Sequence, residues 1–166
     1  TITTEWKGIQ TWDCENPNLY TLKLELLNPQ KQIVHIHEER IGFRTIEFRP
    51  KDGIYVNGTK IIVKGTNRHS FHPDGGRTTN RELSLQDALL IKEMNMNAVR
   101  SHYPPDKHFL EICDSLGIFY LNELAGWQNS YDTETGLKLL SEMINRDVNH
   151  PCIFMWSNGN EGGWNK

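Results

Sequence analysis

The 166-residue chain has few cysteines and no long apolar run. Cys14, Cys113 and Cys152 lie far apart and form neither a Cys-x-x-Cys pair nor a zinc-like spacing, so we expect buried thiols. No apolar stretch approaches the ~20 residues of a membrane helix, and the first residues, TITTEWKG, lack the basic and then apolar pattern of a secretion signal. These absences predict a soluble chain and leave its compartment open.

An excess of positive charge is also missing. Eighteen Lys and Arg residues stand against twenty-one Asp and Glu residues, which gives a net charge of -3 and a pI near 6.1. Such a chain has no basic field with which to hold a phosphate backbone. We therefore expect neither nucleic acid nor a membrane as a partner.

Alternating residues at the start of the chain predict antiparallel strands. LYTLKLEL (19–26) and IVHIHEERIGFR (33–44) both alternate with period two and are separated by the turn NPQKQ. The leucines of the first run predict a half-buried strand, and His35 and His37 are predicted on the outer face of its partner. Residues 1–45 are interpreted as the last strands of an immunoglobulin-like β-sandwich, which two or three strands cannot form alone.

Between two further apolar runs, Asn57-Gly58 predicts a type I′ hairpin turn, because both residues tolerate positive φ. Asn57-Gly58-Thr59 also matches a glycosylation acceptor, but the turn explains the residues without a glycan.

After Val63 the pattern alternates between strands and helices. Ser84 and Asp87 have capping-box spacing at the start of a predicted helix, and Gly117 is predicted to end the next one. The predicted strands are NAVRSH, IFYLNE and CIFMWSNGNE, and the third helix lies in GLKLLSEMINRDVNHP. The order predicts an α/β domain over residues 46–166 with a parallel sheet.

Polar side chains follow each predicted strand: Lys64, Asn67, Arg68 and His69, then Arg100, Ser101 and His102, then Asn122 and Glu123, then Asn158, Asn160 and Glu161. No glycine-rich GxGxxG turn follows a strand, which disfavours a dinucleotide fold. In a (β/α)₈ TIM barrel the strand carboxyl ends build the active site, but a whole barrel takes ~250 residues. The pattern therefore predicts the first half of a (β/α)₈ barrel. Glu161 at the end of its last strand has the setting of a proton-transferring acid on a cleft floor, or of a helix-capping or solvated loop glutamate.

Four ordered motifs carry a resemblance to a known family. GTNRHSFHPDGG, NAVRSHYPPD, CDSLGIFYLNE and NRDVNHPCIFMWSNGNEGG resemble consecutive signatures of glycoside hydrolase family 2, which includes β-galactosidases and β-glucuronidases. ENPNLYTLKLEL and ERIGFRTIEF resemble the end of the sandwich domain that precedes the barrel in that family.

The resemblance implies roles for individual residues. By it, Glu161 is the general acid/base and Asn160 binds the sugar 2-hydroxyl. The other residues implied at the substrate pocket are His102, Arg100 and His69, with Asn67 and Arg68 supporting it, and Glu123 as an orienting carboxylate. Trp127 is a candidate sugar contact or a loop-packing residue, and both readings stay open. Trp164 is a similar candidate, whereas Trp156 is interpreted as core.

The implied reaction is hydrolysis of terminal β-linked sugars by double displacement, with β-galactosidase as the favoured activity. In the family the nucleophile is a Glu on a later barrel strand, beyond this chain, so the chain alone is expected to be inactive. The chemistry needs no cofactor, although some members bind magnesium through a loop that here is ELAGWQNSYDTE. The expected partner is a carbohydrate. Open edges of a half barrel also predict self-association.

Two other functions remain open from the sequence. One is a carbohydrate-binding module in which the same residues bind and do not react. The other is a metal-dependent barrel hydrolase that uses His69, His72, His102 and His108, although Arg68 and Arg100 beside them oppose a cation.

Overall fold

The computed structural model describes residues 4–129 and 131–161. Over these residues antiparallel strands come first, and parallel strands that alternate with helices follow, as the predicted α/β class requires. The elements are β1 (Tyr20–Leu27), β2 (Ile33–Ile41), β3 (Ile46–Arg49), β4 (Gly53–Val56), β5 (Thr59–Ile61), β6 (Gly65–Asn67), α1 (Arg81–Glu93), β7 (Ala98–Arg100), α2 (Lys107–Leu116), β8 (Phe119–Glu123), α3 (Thr133–Asp147) and β9 (Ile153–Ser157). None of these helices is both long and apolar enough to cross a membrane.

The β1–β2 ribbon differs from its prediction in which residues share a face. Its register places Leu24 opposite His37 and Leu26 opposite His35. Residues opposite each other in an antiparallel pair lie on the same face, so the leucines share theirs with the histidines. The predicted outer face for the histidines is therefore wrong. The predicted half-burial is also wrong, because Leu24 is 46% and Leu26 is 61% exposed.

In the β3–β4–β5 sheet the predicted turn connects β4 to β5. Asn57 and Gly58 have φ values of 50° and 77°, as a type I′ turn requires. The Asn57 side chain accepts a hydrogen bond from the Thr45 N–H at 3.0 Å and donates one to the Trp12 carbonyl at 3.0 Å. The turn prediction is confirmed, and an amide engaged at both ends is poorly suited to carry a glycan.

The parallel strands form one sheet in the order β6-β7-β8-β9. The register pairs Val99 with Tyr120, and Arg100 with both Asn67 and Leu121. Tyr120 lies on the helix side, where its ring centroid is 6.0 Å from that of Phe109 in α2. Arg100, Asn67 and Leu121 share the opposite, open side, where they help to line a cavity of about 410 Å³. The register thus separates a packed side from a side that can receive a ligand.

The main core lies between the parallel sheet and the first two of its helices. Its fully buried members include Phe109, Leu110 and Cys113 from α2, Ala88 from α1, and Phe119 and Tyr120 from β8. Burying each large apolar side chain contributes about 1.5–3 kcal/mol, so this layer supplies much of the hydrophobic stabilisation. Trp156 was predicted in the core but is 37% exposed, because it lies on the edge strand β9.

The first helix starts earlier than the sequence predicted. Asn80 caps α1, with its Oδ1 accepting from the Leu83 N–H at 2.9 Å. Ser84 lies buried inside the helix, and its hydroxyl has no hydrogen-bond partner among the described residues. The capping-box prediction is therefore wrong. The predicted end of α2 is confirmed, since Gly117 adopts the left-handed conformation at φ 67°.

The segments before β3 dock onto the carboxyl-terminal part of α2 and onto the turn before β9. Trp12 is fully buried, and its indole N–H donates to the Asp114 carbonyl at 2.7 Å. Arg44 donates to the carbonyls of Pro151 and Ile153. The order of the parallel sheet leaves β6 and β9 with one neighbour each in the described part of the chain, and the predicted self-association stays a prediction.

Candidate active site

The carboxyl ends of the parallel strands bring the predicted polar residues to one edge of the sheet. Asn67 and Arg100 are the last residues of their strands and are register partners, and Glu123 ends β8. Asn160 and Glu161 follow β9 after a short turn. Residues from four separate stretches of sequence therefore meet at one edge, as in barrel enzymes.

Arg100 joins two neighbouring strand ends. Its Nε and Nη2 atoms each donate to a carboxylate oxygen of Glu123 at 3.0 Å, and Nη2 also donates to Asn160 Oδ1 at 2.7 Å. The Glu123 residue is only 1% exposed, whereas the Arg100 side chain is 31% exposed. A buried carboxylate needs such a bidentate partner, and the pair holds the arginine head rigidly at the edge of the cavity.

Arg100 also fixes the orientation of the Asn160 amide. Because the guanidinium can only donate, the amide must turn its oxygen toward Arg100. Among the described residues, the two N–H groups of the Asn160 amide nitrogen then have no acceptor and can serve as donors. An amide held this way can donate to the oxygen of a sugar hydroxyl.

Glu161 directly follows Asn160 at this edge of the sheet, and its predicted position on the floor of a cleft stays a prediction. Its side chain is exposed, and its Oε2 accepts a hydrogen bond from the Trp127 indole N–H at 3.0 Å. Trp127 and Asn160 also form a parallel β-bridge, which ties the loop after β8 to the residue before Glu161. Glu161 has φ 48°, a left-handed conformation that costs a residue with a side chain about 1–2 kcal/mol.

Two of the predicted histidines lie next to each other. The ring centroids of His69 and His102 are 5.0 Å apart in an edge-to-face arrangement. His69 Nδ1 lies 3.2 Å from the Tyr103 hydroxyl. The Nε2 atom of His102 is buried and has no hydrogen-bond partner among the described residues. A buried ring nitrogen without a partner is a polar atom that a bound hydroxyl can satisfy.

Arg68 points away from the open side of the sheet. It is 8% exposed, its Nε donates to Asp87 of α1 at 2.8 Å, and its guanidinium lies 4.1 Å from the centre of the Phe109 ring. These contacts give Arg68 a supporting position between sheet and helices. Asn67 is exposed and joins the site through its backbone pairing with Arg100.

The sequence reading missed Tyr103, whose hydroxyl joins three parts of one loop. It accepts from the Ser70 N–H at 2.9 Å and from Arg77 Nη1 at 3.1 Å, besides its contact with His69. Ser101 donates to the Tyr103 carbonyl at 2.6 Å. The position of this tyrosine directly after the strand-end pair Ser101-His102 was the available signal.

The side chains of residues 4–129 and 131–161 form no cluster suited to a metal ion. In the described ranges, no three His, Cys, Asp or Glu side chains come together in a way that could hold an ion. The loop after β8, where some family members bind magnesium, contains no histidine, and both oxygens of Glu123 accept from Arg100. Trp164 lies outside the described residues.

Comparisons with known proteins show which family and fold the chain resembles. The family model described as "Glycosyl hydrolases family 2, TIM barrel domain" matches residues 47–166, and the model described as "Glycosyl hydrolases family 2" matches residues 2–44. A β-galactosidase of Thermoanaerobacterium thermosulfurigenes is 41% identical over 155 residues, which is 90% of this chain and 21% of that protein. The chain therefore spans about a fifth of the length of this relative.

Solved structures with the same fold act on different sugars. A Parabacteroides merdae β-glucuronidase aligns with a TM-score of 0.85 and 30% identity over 95% of this chain and 21% of its own. A β-galacturonidase from Eisenbergiella tayi, bound to galacturonate, aligns with a TM-score of 0.83 and 30% identity over 94% of this chain and 29% of its own.

Proposed function

The chain belongs to glycosyl hydrolase family 2, and we propose that the intact protein that carries it is a retaining β-glycosidase in which Glu161 is the general acid/base. The observation that supports this most is the Arg100 cluster, because it holds Glu123 and Asn160 together beside Glu161. The proposed substrate is a carbohydrate with a terminal β-linked sugar.

In the proposed mechanism Glu161 acts twice. It first protonates the glycosidic oxygen while a carboxylate from outside this chain attacks the anomeric carbon, and the leaving group departs as a neutral alcohol. It then takes a proton from water, which attacks the glycosyl-enzyme and releases the sugar. The strained backbone at Glu161 supports such a role, since strain of this kind clusters at functional sites.

The other residues at the edge would bind the sugar. Asn160 presents its amide N–H groups to the 2-hydroxyl, and the buried His102 Nε2 accepts from or donates to another hydroxyl. Arg100 orients Asn160, and Glu123 neutralises and holds Arg100. The proposed chemistry requires no metal or other cofactor.

Among substrates we place β-galactosides first. The support is the 41% identity with a β-galactosidase, against 38% with a putative β-glucuronidase of Formosa agariphila. A panel of aryl β-glycosides with galactose, glucuronic acid and galacturonic acid would rank them directly by kcat/KM.

Replacing Glu161 with Gln in the intact protein tests the role of its carboxylate. A positioned proton donor contributes about 10²–10⁴-fold, so Glu161→Gln should lower kcat/KM for a phenyl glycoside by that range. With a dinitrophenyl leaving group, bond cleavage needs no acid. The variant then lacks the base that activates water in the second step. Azide is an anion that needs no base, so it should restore turnover of the variant and yield a glycosyl azide.

A matched control is Glu142→Gln, an exposed glutamate on α3, which should keep wild-type kinetics. Wild-type rates in Glu161→Gln would refute the acid/base role. Sugar binding by the intact wild-type protein without any hydrolysis would support the carbohydrate-binding module instead.

The isolated 166-residue chain is expected to give no turnover, because the proposed nucleophile lies outside it. Hydrolysis of an aryl galactoside by the purified 166-residue chain that disappears in Glu161→Gln would contradict this expectation.

A further inference from the structure

The hydrogen bond between Trp127 and Glu161 restricts how the glutamate can carry its proton. An indole N–H can only donate, so Glu161 Oε2, 3.0 Å from the indole nitrogen, must accept. A proton on that same oxygen would weaken the bond, whereas a proton on Oε1 leaves it intact. The contact therefore marks Oε1 as the oxygen that holds the transferable proton.

Trp127 is also held next to the site through its backbone. The β-bridge with Asn160 places the loop after β8 alongside the residue that precedes Glu161. Asn160 is itself held by Arg100 at 2.7 Å. Trp127 thus contacts Glu161 through its side chain and pairs with Asn160 through its backbone.

Most of the Trp127 surface is exposed. The residue is 64% exposed, although its N–H is engaged, and an indole N–H lies in the plane of the ring. The carboxylate therefore lies at one edge of the indole, where it does not cover the ring faces. A flat aromatic face beside a proton donor suits the apolar face of a sugar ring or an aryl group.

We infer that Trp127 is a positioning residue that directs the proton of Glu161 to Oε1, and that its exposed face is the platform for the leaving group. This inference rests on the proposed function. In the step concerned, the proton moves from Oε1 to the glycosidic oxygen as the bond from that oxygen to the anomeric carbon breaks. The electron pair of that bond stays on the oxygen, and the carboxylate nucleophile bonds to the carbon.

Two substitutions in the intact enzyme separate the N–H from the ring. Trp127→Phe keeps an aromatic face and removes the donor, and Trp127→Ala removes both. For a phenyl glycoside, which needs the acid, Trp127→Phe should lower kcat about tenfold with little change in KM, a part of the 10²–10⁴-fold that a positioned acid contributes. A dinitrophenyl glycoside does not need the acid. Its kcat/KM, which reports the first, glycosylation step, should stay within about twofold of the wild-type value.

Trp127→Ala should add a loss of leaving-group binding to the loss of positioning. With a disaccharide or a phenyl glycoside, its KM should rise about tenfold above that of Trp127→Phe, as expected for loss of an aromatic stacking contact. Asn129→Ala, an exposed change in the same loop, is the matched control for general loop disturbance and should retain wild-type kinetics.

The outcomes distinguish this inference from the proposed function. If the intact wild-type enzyme is active, Glu161→Gln is impaired, and Trp127→Phe slows both leaving groups equally or neither, the positioning role is wrong. Equal KM values for Trp127→Phe and Trp127→Ala would overturn the platform. If Glu161→Gln keeps full activity, the proposed function itself fails.

Discussion

The β1–β2 ribbon and the parallel sheet use similar apolar residues and reach opposite degrees of burial. In the ribbon, Leu26 and Val34 are 61% and 57% exposed, whereas in the parallel sheet Val99 and Tyr120 are 2% and 0% exposed. The ribbon pairs its leucines with histidines on one face, so neither face is wholly apolar. The parallel sheet has α1 and α2 on one side and collects its polar ends at one edge.

A period-two pattern thus predicts a strand but does not predict what covers it. A two-stranded ribbon has no second layer of its own, and such ribbons are marginally stable at best. In the parallel sheet the covering helices are the neighbours in sequence, so burial follows directly from the order of elements. Stability should therefore concentrate in the sheet and its helices.

The largest expected effect compares one leucine from each region. Leu110→Ala removes a fully buried side chain from α2 and should lower the free energy of unfolding by about 2–5 kcal/mol. Leu26→Ala, at 61% exposed, should change it by less than about 0.5 kcal/mol. Chemical denaturation measures both. Equal losses would show that the ribbon is buried as deeply as the sheet.

The next effect compares Gly117, at the end of α2, with Gly58, in the turn between β4 and β5. A Cβ at Gly117 would lie 2.4 Å from the Cys14 carbonyl oxygen, whereas a Cβ at Gly58 would meet nothing within 4 Å. Both have positive φ, which costs an alanine about 1–2 kcal/mol. Gly58→Ala should show only that cost, and Gly117→Ala should lose about 1–3 kcal/mol more because of the clash. Similar shifts of the denaturation midpoint in the two variants would contradict the close packing of Cys14 on Gly117.

The smallest effect is a loss of stability in alkali that originates in the core of the sheet. Burial raises the pKa of the Cys113 and Cys152 thiols well above 9.0, and burial also raises the pKa of Tyr120. A raised folded pKa gives stability that is complete below the unfolded pKa and is lost as pH rises above it. The free energy of unfolding should therefore fall by about 1–2 kcal/mol between pH 7 and pH 9.5.

The control for this pH dependence is the Cys113→Ala/Cys152→Ala double variant, which should be less stable at pH 7 but should lose less between pH 7 and pH 9.5. An identical decline in the variant and the wild type would assign the alkaline loss to other groups.

Several features were predictable because they depend on neighbours in the sequence. Asn57-Gly58 forms its turn and Gly117 ends its helix, since both rely on the φ values that the residues themselves allow. The start of α1 was not predicted correctly. Ser84 and Asn80 can both cap a helix; in the structure Asn80 accepts from the Leu83 N–H, and Asp87, the partner residue of the predicted capping box, accepts from Arg68 of another element.

The alternation of strands and helices, the family, and the polar residues at the strand ends could all be predicted from the amino-acid sequence. These follow from local periodicity and from motif order. The three-dimensional fold was needed to show that Arg68 packs against the helices, that Arg100 links Glu123 to Asn160, and that Trp127 contacts Glu161. Each of these depends on the register between strands and on where a side chain finds a partner, and neither is encoded within a single stretch of chain.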